Sequence, residues 1–238
     1  WTTPCRWLRV PVGRSDKTAP SKSFDDGGYH VLRVDGAMSV LSYPRFRFRP
    51  SQADALHLDL WHGGVNLLRD AGTFSYNDDQ AEWFASTAAH NTIEFDGRDQ
   101  MPRLGRFLFG NWLAADAIEA VNANETSATA SAAYTDAYGA RHHRKVILAT
   151  RGLICEDTIS GTFKEACLRW RLVPGEWQLT ENILRHGNIA LSVEIDGSPV
   201  APTLGSTKES RYYQHQSTIP VASVKLNRPA TLITKVTF

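Results

Sequence analysis

The chain has 238 residues, a formal net charge of +1, 42% hydrophobic residues and 10% aromatics. That suffices for the core of one large β domain or two small ones, and the even charge balance excludes a global basic field for nucleic acid. No apolar run approaches the ~20 residues of a membrane helix, and three cysteines, Cys5, Cys155 and Cys167, are too few for a disulfide framework.

The chain opens on Trp1-Thr2-Thr3-Pro4, with no initiator methionine and no charged segment before an apolar one. It is therefore expected to be processed or truncated, and the missing signal says little about compartment. Trp1, Trp7, Leu8 and Val10 lack strand alternation, and the stretch from Arg14 to Ser23 is polar and turn-rich. Residues 1–24 read as a linker or the remnant of a preceding domain, and 25–238 as the β domain.

From Gly27 onward the pattern is almost wholly β. Strands are expected at 29–34, 37–48, 55–61, 65–70, 91–96, 105–109, 112–121, 126–134, 140–150, 153–159, 165–173, 177–183, 189–195, 219–226 and 230–238. Asp35-Gly36, Asp96-Gly97, Tyr138-Gly139, Arg151-Gly152, Ser160-Gly161 and Asp196-Gly197 supply turns between them. The one helical candidate is 79–87, with Asp79 as N-cap and Glu82 three residues on. The fold class is all-β: a large antiparallel β-sandwich, supersandwich-like, behind a short N-terminal linker.

Several constellations carry chemistry. Arg45, Arg47 and Arg49 alternate with Phe46 and Phe48, so the rings face the core and the guanidiniums share the other face. Guanidinium forks suit carboxylate and sulfate; the alternative is pairing across a hairpin with His57 and Asp59. Leu56, Leu58 and Leu60 alternate with His57, Asp59 and Trp61, His62-Gly63-Gly64 turns the chain, and Val65 to Asp70 returns antiparallel. Gln52, Asp54 and Asp70 are thereby expected at one sheet edge, within reach of His90. These groups form either a metal or binding site, or a clasp in which Asp70 and His90 pin the loop between them.

Tyr76 is read as a sugar-stacking platform or as a loop anchor on Trp83 or Phe84. Arg171, on the Arg169-Trp170-Arg171 strand, reaches substrate or makes an internal salt bridge. His142 and His143 point to opposite faces. Cys155 and Cys167 either pair or stay as buried thiols. There is no Gly-rich phosphate loop, Cys-x-x-Cys, Gly-x-Ser-x-Gly or His-Glu-x-x-His.

Asp54-Ala55-Leu56, Leu58-Asp59-Leu60-Trp61, Asp70-Ala71-Gly72-Thr73, Tyr76, His90-Asn91-Thr92 and Asp96-Gly97 together resemble the signature of heparinase II/III-like polysaccharide lyases. Gly28 to Arg33 and Ile154 to Gly161 extend the likeness, which covers residues 25–238. Such proteins pair an N-terminal helical (α/α) toroid with a C-terminal β-sandwich, and the resemblance covers only the sandwich.

It implies a divalent metal, zinc or calcium, held by a His, an Asp and a later His. The last two fall on Asp70 and His90; the first falls on Gln52, a degenerate ligand position, since an amide is a poor zinc ligand. A further histidine just before that position is missing from Arg49, Pro50 and Ser51, so no residue is assigned a catalytic role. Arg47, Arg49, Tyr76 and Arg171 are the expected substrate-binding residues.

The implied function is the sandwich half of a lyase acting by β-elimination on a uronic-acid polysaccharide, a glycosaminoglycan or alginate. It would form one cleft wall, be inactive alone, and act in the periplasm or outside a bacterial cell. The implied partners are an acidic polysaccharide and a toroid in the same parent protein, with no nucleic acid and no membrane. The alternatives are a non-catalytic carbohydrate-binding or scaffold domain, and a free-standing metal enzyme using Asp70, His90 and Asp54.

Overall fold

The structure is a computed structural model that describes residues 6–9 and 19–238. Strands β1 (Lys22–Phe24), β2 (Tyr29–Val34), β3 (Ala37–Ser42), β4 (Leu58–His62) and β5 (Val65–Leu68) form a five-stranded sheet in that order. A short helix, α1 (Ala81–Phe84), precedes β6 (Ile93–Phe95), β7 (Arg103–Gly105) and β8 (Leu108–Phe109). Then come β9 (Ala115–Ala123), β10 (Ser127–Thr135), β11 (Ala140–Ala149), β12 (Gly152–Gly161) and β13 (Ala166–Arg171). The chain ends with β14 (Gln178–Thr180), β15 (Ile183–His186), β16 (Ile189–Ile195), β17 (Ser198–Val200), β18 (Thr203–Tyr212), β19 (His215–Leu226) and β20 (Ala230–Thr237).

The order β14-β15-β16-β20-β12-β11-β10-β9, with β17 beside β16, builds a nine-stranded sheet; β18-β19-β13-β6 builds a four-stranded one, and β7 and β8 pair alone. The sandwich expectation holds. Among the described residues no helix is long and apolar enough to cross a membrane.

Period-two alternation drives the layering. Along β11, Ala140, His142, Arg144, Val146 and Leu148 face inward; along β12, Leu153, Cys155, Asp157 and Ile159 do. Leu32, Leu41, Leu58 and Leu60 of the first sheet share one core with these and with Ile93, Leu168 and Trp170 of the four-stranded sheet. Tight hairpins set the register. Asp35 and Gly36 sit at φ 33° and 73°, and Gly63 and Gly64 at 56° and 81°, the paired left-handed geometry of a two-residue turn that follows strand twist.

The expected strand 37–48 stops at Ser42, because Pro44 has no N–H to continue a ladder. The Arg/Phe alternation that follows is therefore not strand alternation: Phe48 is 85% exposed and Phe46 only partly buried. The expected strand 55–61 begins at Leu58, after Leu56 turns left-handed at φ 59°. The helix expected at 79–87 shrinks to one turn entered through Gln80, whose N–H is taken by Asp78 Oδ1 at 2.8 Å rather than by an Asp79 cap. β1, β7, β15, β17 and β18 are not among the expected strands. Cys155 and Cys167 are buried free thiols on different sheets; Cys5 lies outside the described residues, as does most of the expected linker. Its last residues, Lys22–Phe24, pair with β2.

Candidate functional site

The site lies where β4, β5 and the segment before β6 meet. β4 and β5 pair Leu60 with Leu68, which sets Asp70, two residues on, level with Leu58 and next to His57. The backbone of 53–57 is not in a strand, and those of its polar groups without backbone partners take side-chain ones. Gln100 bonds both the N–H and the carbonyl of Ala55 at 2.9 Å, Thr92 Oγ1 donates to the same carbonyl at 2.8 Å, and Thr87 Oγ1 donates to Ala53 O at 3.1 Å. The buried Arg144 donates to Leu56 O and Asn91 O, each at 2.6 Å, while Asp157 holds its guanidinium at 2.6 and 3.0 Å. His142 Nε2 completes that buried cluster, 2.7 Å from Asp157.

This frame presents a His–Asp–His cluster of His57, Asp70 and His90, whose ligand atoms all lie within 4.8 Å of one another. His90 Nδ1 is 2.8 Å from Asp70 Oδ2. His57 Nε2 is 3.6 Å from the same oxygen, too long for a good hydrogen bond. Asp70 Oδ1 accepts the Gly72 N–H at 2.5 Å. Asn91 staples three elements: its amide donates to Leu58 O and Arg69 O, and its Oδ1 accepts the Arg171 N–H.

The electrostatics follow from burial. Desolvation pushes the His57 imidazole down to about 3, against the pull of Asp70. Burial also pushes on His90, but the Asp70 charge and hydrogen bond, with Asp54, outweigh it and raise its value. The same pair holds the Asp70 carboxyl well below the usual range despite its desolvation. Asp59 rises to about 6 through burial and the neighbouring Asp70 charge. His57 is therefore neutral at neutral pH, and the Asp70 carboxylate favours the protonated form of its partner His90.

The cluster takes in His57, which was not among the expected ligands; Gln52, the expected first ligand, lies on the groove that Asp70 also lines. Strand alternation placed His57 on the solvent face, and the left-handed Leu56 turns it inward. Gln52 and Asp54 line a groove of about 510 Å³ with Asp70, Arg47 and Arg49. Arg47 is exposed and paired with Asp26; Arg49 is exposed. Tyr76 is 61% exposed and leans on Phe107 and Tyr213, not on Trp83 or Phe84. Arg171 does not reach outward. It is fully buried, bonded to Thr207 Oγ1 at 3.1 Å and to Lys208 O: its side chain reaches past β19 to β18 of the same sheet, and its guanidinium lies 5.8 Å from the Trp83 ring.

Two imidazoles and a carboxylate match an open zinc site in composition, and His57 Nε2 and His90 Nε2 are buried without a hydrogen-bond partner among the described residues. The set fits a divalent ion, with one conflict. His57 Nδ1 accepts the Asn91 N–H at 3.0 Å, whereas a ligating imidazole keeps its other nitrogen protonated as a donor. A metal would have to displace that bond.

Residues 16–218 match the family model described as Heparinase II/III-like, C-terminal. A solved heparinase III, the BT4657 gene product, superposes with a TM-score of 0.77 at 18% identity, over 99% of this chain and 38% of that one. Heparan sulfate lyase HepC from Pedobacter heparinus superposes with a TM-score of 0.72 at 16% identity, over 98% and 38%. The chain thus spans little more than a third of the length of these structures, and at such identities the likeness establishes the fold alone. No curated protein sequence matches the chain.

Proposed function

Because this chain belongs to the heparinase II/III-like C-terminal domain family, we propose that it is the sandwich half of a polysaccharide lyase that cleaves a uronic-acid polymer by β-elimination. In that reaction the C5 carboxylate is neutralised, a base removes the now acidic C5 proton, and an acid protonates the leaving O4. This chain's part is one wall of the cleft. The observation that carries the reading is the groove itself: exposed Arg47 and Arg49 line it and it ends at Asp70, beside the buried histidines.

Guanidiniums there bind and orient uronate or sulfate groups as bidentate partners. His57, Asp70 and His90 lie behind the groove and hold the loop from Ala71 to Ala89 against the sheet. They are also the residues that would hold a divalent ion, which when bound would add positive charge beside the substrate carboxylate. No general acid or base is assigned to this chain. A helical toroid in the longer parent would supply them, and the chain alone is expected to be inactive.

A second reading, a non-catalytic carbohydrate-binding domain, is favoured by the absence of histidine from Arg49 to Gln52. Both readings require binding of an acidic polymer. Equilibrium titration with heparan sulfate, alginate and neutral dextran tests this. Binding of an acidic polymer should weaken with salt, and the double change Arg47→Ala, Arg49→Ala should lower it roughly tenfold, ~1.4 kcal/mol. No binding of any acidic polymer would overturn both readings.

A further inference from the structure

Three exposed aromatic side chains from distant parts of the chain converge beside the arginine groove. Tyr76 follows β5, Phe107 is in the β7–β8 turn, and Tyr213 is in the β18–β19 turn. The Tyr76 ring centroid is 6.3 Å from that of Phe107 and 5.8 Å from that of Tyr213. They are 61, 47 and 54% exposed. Single exposed aromatics are ordinary, but a converging set marks a binding surface.

The cluster is built, not accidental. The Tyr213 hydroxyl lies 3.3 Å from Ser75 Oγ and accepts the Tyr76 N–H at 3.3 Å. The Gln214 N–H donates to Phe74 O at 2.7 Å, and Gly72 bridges to Ser210. The β18–β19 turn is thereby tied to the loop that carries Tyr76.

A small cleft of about 110 Å³ opens here, lined by Gln52, Ser75, Tyr76, Arg106 and Phe107. Ser51 and Gln52 line both this cleft and the Arg47/Arg49 groove. The two thus adjoin at Ser51 and Gln52, with arginine in each and an amide between them. A pyranose ring offers an apolar C–H face to an aromatic ring, and its hydroxyl edge to amides and hydroxyls. An acidic pyranose adds a carboxylate or sulfate for a guanidinium.

We propose that Tyr76, Phe107 and Tyr213, with Arg106, form a second sugar-binding subsite, which takes an acidic residue further along the polymer bound at Arg47 and Arg49. This rests on the acidic-polysaccharide reading above and extends it from one cleft wall to a longer footprint. It also gives Gln52 a role as the polar floor between the two subsites.

The test is calorimetric titration of the full chain with acidic uronate oligosaccharides of two lengths, a disaccharide and an octasaccharide, beside a neutral octasaccharide. The wild type should bind the acidic octasaccharide more tightly than the disaccharide. Phe107→Ala and Arg106→Ala should each lower octasaccharide affinity roughly tenfold, ~1.4 kcal/mol, and erase most of the length advantage. Both sites are exposed, so unchanged melting curves establish that the variants fold.

If the wild type prefers the acidic octasaccharide but neither variant weakens it, the subsite is overturned while the acidic-polysaccharide reading stands. If the wild type binds no acidic sugar, that reading falls and the subsite with it. Equal affinity for the neutral octasaccharide would overturn the acidic specificity assigned to Arg106.

Discussion

The backbone N–H of Asn91 donates to Nδ1 of His57 at 3.0 Å. A nitrogen that accepts a hydrogen bond carries no proton, so the neutral imidazole keeps its proton on Nε2, the atom facing Asp70. His57 thereby directs its N–H toward Asp70 Oδ2, 3.6 Å away. Nitrogen chemical shifts of the histidines at neutral pH should place His57 in the Nε2–H form; an Nδ1–H signal for His57 would contradict the arrangement.

The same tautomer weakens metal binding. Ligation through His57 Nε2 must break the Asn91 bond, and Asp70 Oδ2 is already paired with His90. Zinc should bind the wild type weakly. Gln52→His adds an imidazole to the groove that Asp70 lines and should raise affinity, with a nitrogen about 2.0–2.1 Å from the ion, while Asp70→Ala should abolish binding. Equal zinc affinity in all three proteins, measured calorimetrically, would mean the cluster serves only as a clasp.

Stability should fall on both sides of mildly acidic to neutral pH. His57 has a folded value of about 3, below its ordinary 6.5, so its contribution is complete above 6.5. It is lost as pH falls, because the unfolded chain binds the proton first, at up to about 1.4 kcal/mol per pH unit. His90 has the opposite sign: its value is raised, so its pairing with Asp70 contributes fully below 6.5 and is lost as pH rises through the raised value. Asp70, whose value is lowered, contributes above 3.8 and loses this on further acidification. Urea midpoints measured across pH should trace this dome, and His57→Gln should flatten its acid side while sparing the alkaline side. An acid side unchanged by His57→Gln would contradict the assignment.

Gly72 should tolerate no side chain. It sits at φ +76°, and a Cβ there would lie 1.9 Å from Ser210 O. Its N–H also holds Asp70 Oδ1. Gly72→Ala should cost about 1–3 kcal/mol from the backbone conformation alone, with the steric clash in addition, and should loosen the Tyr76 loop. A melting temperature within error of wild type would show that this backbone can shift freely.

Much of the fold is legible residue by residue. Leu58 and Leu60 alternate into the core as expected, and Asp35-Gly36 and Gly63-Gly64 turn where their chemistry demands. The failures share a cause: alternation is a strand signal only where a strand exists. At Phe46 and Phe48 the ladder has already ended before Pro44, and solvent takes the ring that was assigned to the core. At Leu56 one left-handed residue inverts the face of His57, which hid the third member of the cluster. Arg171 shows a different limit, because its partners Thr207 and Lys208 lie on β18, a polar strand without apolar alternation, and Trp83 reaches it from a distant loop. Asp70 and His90 are legible together because both stand in the motif that resembles the family, whereas Phe107 and Tyr213 meet Tyr76 only through tertiary structure.

The most direct test of the central claim is the ultraviolet absorbance of unsaturated uronate product. The purified chain would be incubated with heparin, heparan sulfate, alginate, hyaluronan and polyglucuronate, beside the longer parent protein. The account predicts product from the parent on at least one polymer and none from this chain alone, because it assigns the acid and base of the reaction to a helical domain of the parent. Sustained product formation by the chain alone would contradict it.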